Sequence, residues 1–256
     1  MKTPIFKPQT EWLPPEEFKD LSSYNEISID LETKDPELKL VGSGSITGKG
    51  QIVGIALAVE GWSGYYPIAH EGGGNMDKKK VMDYFRTILN YPSKKIFHNA
   101  MYDVCFIRAA GLKINGTIID TMIAGSLVDE NRFRYDLGSM GRDYVGKGKN
   151  EAVLAETAAI WGIDAKSEMY KLPAMYVGEY AERDAELTLE LWQEMKKEIQ
   201  HQDIEAIFDL ETELFPCLVD MRFLGVRVDV EAASRLKHKL LTEEKECLQK
   251  VKKETS

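Results

Sequence analysis

Cysteine is scarce in this chain: Cys105, Cys217 and Cys247 are the only three in 256 residues, far apart and odd in number. That count fits reduced thiols in a cytoplasmic compartment better than disulfides or a zinc cluster. The chain also lacks any apolar run long enough to span a bilayer, so no membrane is expected as a partner. Its first residues, MKTPIFKPQTEWLPP, lack the basic-then-apolar layout of a signal peptide. Positive charge is in short supply too, with 33 Lys and Arg against 42 Asp and Glu, a net −9. A tight nonspecific nucleic-acid binder is normally basic, so that class is disfavoured. An enzyme that grips a few phosphates through bound metal remains compatible with the acidic balance. What is present is ordinary globular composition, 43% hydrophobic and 29% charged. The length suits one sizeable domain plus an appendage, or two small domains.

The most informative stretch is Ile27-Ser28-Ile29-Asp30-Leu31-Glu32-Thr33. Its apolar, β-branched start predicts a buried strand, yet it ends in two carboxylates. Strand side chains alternate between faces, so Asp30 and Glu32 project from the same side. Like charges on one face repel, and burying them unpaired costs several kcal/mol. A hard divalent cation between them would resolve the conflict. A solvated or salt-bridged pair would resolve it equally well.

Residues 1–24 hold four of the nine prolines and predict an extended lead-in anchored by Trp12 and Phe18. A strand at 25–33 follows, then a mobile loop from Lys34 to Gly50. Strands at 51–59 and 64–68, joined by a turn at 61–64, predict an antiparallel meander. Periodic apolar positions predict a helix over 77–90, whose Lys78-Lys79-Lys80 run is a solvated first turn. A short strand at 95–97 leads to Asn99, a candidate N-cap for a helix over 100–111. A strand near 114–119 leads into Asp120 and an apolar helix ending near Val128. The glycine-spotted segment 132–149, with Arg132, Arg134, Arg142, Lys147 and Lys149, suits solvated surface or contact with a phosphate backbone. Helices are expected at 151–160, 165–171, 174–199 and 203–224. Gly225–Asp229 suggests a short extended piece, and 230–256 a highly charged helix. A helix that polar buries little by itself, so the chain is expected to continue into, or pair with, something else.

Two further acids stand at telling intervals. Asn99 and Asp103 lie four apart on one helix face, and Tyr180 and Asp184 repeat the interval on a later helix. Asp184 shares its face with Leu187 and Leu191, so it should point inward, leaving Glu182 and Arg183 exposed. Each feature alone is commonly structural. Together, Asp-x-Glu on a strand, Asn-x-x-x-Asp on a helix and Tyr-x-x-x-Asp on a later helix form an ordered set. That set resembles the motifs of the 3′–5′ proofreading exonuclease domain of family A DNA polymerases, in the four-carboxylate (DEDD) superfamily. Tyr180 points to the tyrosine subclass; the histidine subclass would carry His where this chain has Glu179. The Pro67-Ile-Ala-His70, Ile119-Asp120-Thr-Met and Ala185–Leu191 segments extend the resemblance. Beyond Glu211, Phe-Leu-Gly-Val-Arg-Val-Asp229 resembles the passage from exonuclease into polymerase. The likeness covers about residues 24 to 240.

The resemblance implies an α/β, ribonuclease H-like fold: a mixed sheet, with an antiparallel three-strand meander plus parallel strands, flanked by helices. It divides the chain into a lead-in (1–24), the exonuclease domain (25–200) and a helical C-terminal extension (201–256) resembling the start of a polymerase region. It implies metal-dependent hydrolysis of the 3′-terminal phosphodiester of DNA, with release of nucleoside 5′-monophosphates, in a bacterial or phage-infected cell. Asp30, Glu32, Asp103 and Asp184 would hold two divalent cations, Mg²⁺ or Mn²⁺, which suit an all-oxygen ligand set. Tyr180 would orient the attacking water. Asn99 and His98, with Leu31 and Thr33 beside the strand acids, would contact the terminal nucleotide. His70 reads as structural. Lys34 and Pro36 depart from the family's run after Asp-x-Glu, which puts Leu38 in doubt as a wedge under the terminal base. Partners would be a single-stranded or frayed 3′ end and a polymerase domain or subunit. An exoribonuclease of the same superfamily would use the same acids. A silent scaffold domain would be expected to lack some of them, and none is missing here.

Overall fold

The computed structural model describes residues 10–254. Expectations that fall on residues 1–9 and 255–256 lie outside the described residues. The chain divides into one compact unit up to Val219 and a second from Asp220 onward.

Strands β1 (Glu26–Lys34), β2 (Gln51–Val59), β3 (Trp62–Pro67), β4 (Lys94–Phe97) and β5 (Ile118–Asp120) form one mixed sheet. Their order is β3-β2-β1-β4-β5. β1 pairs antiparallel with β2, which pairs antiparallel with β3. β4 joins β1 in parallel and β5 joins β4 in parallel. The strand carrying Asp30 and Glu32 is therefore central, with the meander on one side and the parallel pair on the other. Parallel pairing with β4 runs only over Glu26–Ser28. Beyond Ser28 the acid-bearing half of β1 is left without that neighbour. In open sheets with parallel strands, such a crevice beyond the strands' carboxyl ends is where ligands bind.

Several expectations change in detail. The segment 34–50 contains two short helices, α1 (Leu38–Val41) and α2 (Gly44–Thr47), because both oxygens of Asp35 accept from the Gly44 N–H at 3.0 Å. The β2–β3 turn is Glu60-Gly61, with Gly61 at φ +75°, so Trp62 and Ser63 already belong to β3. Helix α3 (Lys78–Asn90) starts as expected, and Lys78, Lys79 and Lys80 are exposed. α4 (Ala100–Ala109) and α5 (Thr121–Val128) follow β4 and β5. Segment 132–149 holds the short α6 (Leu137–Met140) and a π turn at Gly141–Val145. α7 spans Ala152–Trp161, and 165–171 supplies only a 3₁₀ turn at Met169–Lys171. A second 3₁₀ turn at Ala174–Tyr176 precedes α8 (Gly178–His201).

α8 lies on the Asp30/Glu32 face of the sheet. Ala56, Ala58, Ala181 and Ala185 bury together there with Trp12, Tyr65 and Ala174. Side chains this small let helix and sheet approach closely, which brings the first two turns of α8 beside β1. Both lead-in anchors hold: Trp12 tilts against Tyr65 with ring centroids 5.9 Å apart, and Phe18 stacks on Tyr66 at 5.7 Å. A Cβ on Gly178 would stand 2.0 Å from the Trp12 ring, so the start of α8 accommodates only glycine. α9 spans Glu205–Leu224 and buries Phe208, Phe215 and Val219. In the second unit, Gly225 closes that helix at φ +73°, its N–H bonded to the Met221 carbonyl at 2.9 Å. No strand forms over 225–229, and α10 (Val230–Glu254) buries no residue.

Candidate active site

Three elements deliver four carboxylates to one cleft. Asp30 and Glu32 come from β1, Asp103 from the first turn of α4, and Asp184 from the second turn of α8. The cleft they line, about 1120 Å³, also includes Leu31, His98, Asn99, Tyr102, Lys149 and Tyr180. A second groove of similar volume is lined by Glu26, Glu60, Glu186 and Glu190, but there Glu26 pairs with Lys196, and Glu186 and Glu190 pair with Arg183.

Backbone geometry holds Asp103 in place. The Leu31 N–H, in the part of β1 that has outrun β4, donates to Asp103 Oδ1 at 3.0 Å. Asp103 in turn depends on Asp120 at the end of β5. The Asp120 carboxylate accepts from the N–H groups of Asn99 (2.9 Å), Ala100 (2.8 Å) and Met122 (2.9 Å), capping α4 and α5 together. This corrects the expectation for Asn99. Its side chain makes no cap hydrogen bond, and its backbone sits left-handed at φ +62°, a conformation asparagine tolerates better than most residues. Asp120→Ala would strand three donors, and its expected cost is roughly 2–4 kcal/mol, readable as a lowered denaturation midpoint with an unchanged slope.

The acids are electrically strained. Burial, and then the charge of Asp184, raises the Asp30 carboxyl to about 7. Burial, then Asp30 and Asp184, lifts Glu32 well above the usual carboxylate range. Burial and Asp30 do the same to Asp103, against the opposing Leu31 hydrogen bond. Burial also raises Asp184. Tyr180 is buried beside Asp184, Glu32 and Asp30, which pushes its hydroxyl well above 10 and keeps it neutral.

One cation answers this strain. The Lys149 ammonium pairs with Asp184 Oδ2, lies 3.4 Å from the Tyr180 hydroxyl and sits over the Tyr180 ring at 5.2 Å. Segment 132–149 is thus not simply solvated surface, since its last residue reaches the acids. Lysine at the end of a glycine-rich stretch gave no periodic signal, so only its basic character hinted at this. Among the described residues no group of three or more His, Cys, Asp or Glu side chains is already arranged around a metal position. The donor set nevertheless suits a hard divalent cation. It offers carboxylate oxygen and no sulfur, and buried Asp184 Oδ1 has no hydrogen-bond partner.

The remaining candidates divide. His98 borders the cleft with Nδ1 on Thr121 Oγ1 at 2.8 Å and a buried, unpartnered Nε2. Burial holds it neutral, near 4. Asn99 and Leu31 line the cleft, whereas Thr33, beyond a register shift at Glu32/Thr33, turns to the Tyr102 hydroxyl at 2.7 Å. Tyr102, which sequence reasoning passed over, borders the cleft instead. Glu182, expected exposed, is half-buried and accepts from the Tyr65 N–H at 3.0 Å, while Arg183 pairs with Glu186 and Glu190. His70 is buried between the Tyr65 hydroxyl (2.7 Å) and the Leu172 carbonyl (3.0 Å), a structural position. Leu38 is 41% exposed and does not border the cleft.

The 3′–5′ exonuclease family model of the family A DNA polymerases matches residues 7–200. The chain belongs to this exonuclease family. A DNA-directed DNA polymerase of Pseudomonas phage M6 is 33% identical over 261 residues, which is 98% of this chain. The chain spans only 39% of that polymerase's length. Brucella melitensis NrnC with bound Mg²⁺ matches the fold at TM-score 0.57 and 15% identity, over 80% of this chain and 89% of NrnC. Escherichia coli RNase D, an exoribonuclease involved in structured RNA processing, matches at TM-score 0.53 and 17% identity, over 80% of this chain and 47% of its own. The exonuclease thus has the ribonuclease H-like fold. Among its described residues no helix is long and apolar enough to cross a membrane.

Proposed function

We propose that this exonuclease hydrolyses the 3′-terminal phosphodiester of DNA, releasing nucleoside 5′-monophosphates, inside a bacterial or phage-infected cell. The observation that carries the proposal is the convergence of Asp30, Glu32, Asp103 and Asp184 on one cleft with a neutral Tyr180. Asp30, Glu32 and Asp184 would hold one divalent cation, and Asp30 with Asp103 a second; Mg²⁺ or Mn²⁺ fits these oxygens. The chemistry such ions supply when bound is a lowered pKa for water and an offset to charge developing on the phosphate.

The chain's own groups do the rest. Tyr180 keeps its proton and orients the attacking water by hydrogen bond, since a phenol held above 10 is a poor base at neutral pH. Burial of the acids excludes bulk water and strengthens their hold on any cation. His98 and Asn99, which border the cleft, would contact the terminal nucleotide. Arg134, Arg142 and Lys166 also border the cleft, a cationic margin suited to a phosphate backbone. Recognition by backbone contact and stacking reads little sequence, and frayed ends are favoured because unpairing them costs less. Residues 25–200 would form the catalytic domain and 201–256 a helical extension toward a polymerase domain or subunit.

DNA is preferred over RNA because the M6 relative is a DNA polymerase, whereas RNase D shares the fold alone. The test is a competition between matched single-stranded DNA and RNA of one sequence, each 5′-labelled, with Mg²⁺. Stepwise shortening from the 3′ end, faster on DNA, is expected. Equal or faster shortening of RNA would assign the domain to the exoribonucleases. No shortening of either would leave a silent scaffold.

A further inference from the structure

The Lys149 side chain is 19% exposed, and it enters the acid cluster from a short segment with no regular structure, between the π turn and α7. Gly146, left-handed at φ +72°, and Gly148, with open space around its Cα, precede it. The lysine's flexible four-carbon stem lets its ammonium move within the cleft without moving a helix. The groups that face its ammonium are Asp184, Tyr180, Asp30 and Glu32. Charge balance then points to two situations. With no divalent cation present, one ammonium is the strongest available offset to the crowded carboxylates. With two divalent cations bound, the four carboxylates are already balanced, and the ammonium's charge is left to match one phosphodiester.

Resting on the exonuclease reading above, we propose that Lys149 is an exchangeable counter-cation. It holds Asp184 in the metal-free chain, yields that oxygen to a divalent cation, and turns its ammonium to the phosphate of the terminal nucleotide. An ammonium offers three donors on a flexible stem, so it can leave a carboxylate for a phosphate oxygen within the same cleft. Its 3.4 Å distance to the Tyr180 hydroxyl places it beside the group proposed to orient water. No bond is made or broken in this exchange.

The full chain and its Lys149→Met and Lys149→Arg variants decide the matter. Mn²⁺ binding without nucleotide is followed by electron paramagnetic resonance. Binding of a nucleoside 5′-monophosphate in Ca²⁺ is followed by calorimetry. Removing a competing cation should tighten Mn²⁺ in Lys149→Met by about 10-fold, a typical coupling between two ligands of one site. The same variant should lose about 10-fold in nucleotide affinity, from one charge-assisted contact. Lys149→Arg, which keeps the charge if the methionine variant misfolds, should restore nucleotide affinity. Unchanged or weaker Mn²⁺ binding in Lys149→Met, or unchanged nucleotide affinity, overturns the exchange while leaving the acids' role standing. Failure of the unmodified chain to bind Mn²⁺ overturns the reading of the site itself, and the exchange with it.

Discussion

Asp30→Asn is expected to lower the rate of 3′-terminal hydrolysis by about 10³-fold or more, some 4 kcal/mol of transition-state stabilisation. Asp30 is the acid on which the cluster centres. It is paired opposite Ala56 in the middle of the sheet, and it lies in the field of Asp184, Glu32 and Asp103. An amide has nearly the same shape, so packing is preserved while a charge that would help hold the cations is lost. The loss should fall on the chemical step in single-turnover measurements, with saturating Mg²⁺ unable to rescue it. Retention of more than about a tenth of the rate would show that Asp30 does not hold a cation essential to the reaction.

The same substitution should stabilise the metal-free protein, by an amount that depends on pH. In the fold, the Asp30 carboxyl is raised from 3.8 to about 7. Between those values the folded chain binds a proton that the unfolded chain has released. Stability from this group is therefore full below about 3.8 and is lost as pH rises through about 7. Removing the group removes that loss. In EDTA, the stability gap between Asp30→Asn and the unmodified chain should widen from pH 4 to pH 7, then level at a few kcal/mol. Urea denaturation at matched pH values measures it, and comparing the two proteins cancels titrating groups outside the acid cluster such as His70. Mg²⁺ should narrow the gap at pH 8, because a cation bound only to the folded state stabilises the unmodified chain. A gap independent of pH would contradict the electrostatic strain assigned to the cluster. Such a trade of stability against activity is common where like charges are assembled for function.

The parts of this site legible in the sequence are those governed by short-range periodicity. Alternation along β1 put Asp30 and Glu32 on one face, and helical spacing turned Asp184 inward with Leu187 and Leu191. Both positions follow from local geometry, which neighbouring residues reveal. The meander was equally legible, because three strands in tight succession leave little choice of pairing. Contacts made across the chain were not. Asp120 caps α4 from 20 residues away, through backbone donors that leave no mark on side-chain pattern. Lys149 reaches Asp184 from a segment without periodicity, 35 residues distant. Glu182 follows helix periodicity to the rim, yet the Tyr65 N–H draws it inward from another element. Thr33 meets the Tyr102 hydroxyl, a contact with another element that alternation along β1 does not reveal.

The most direct test of the central claim is a single incubation series on single-stranded DNA. One oligonucleotide carries a 5′ label and its twin a 3′ label, each with Mg²⁺ or with EDTA. With Mg²⁺, the 3′ label should be released at once as a nucleoside 5′-monophosphate while the 5′-labelled strand shortens one nucleotide at a time. EDTA should stop both. Release that persists in EDTA, or internal cuts that shorten both strands together, would contradict a metal-dependent exonuclease built on the four converging acids.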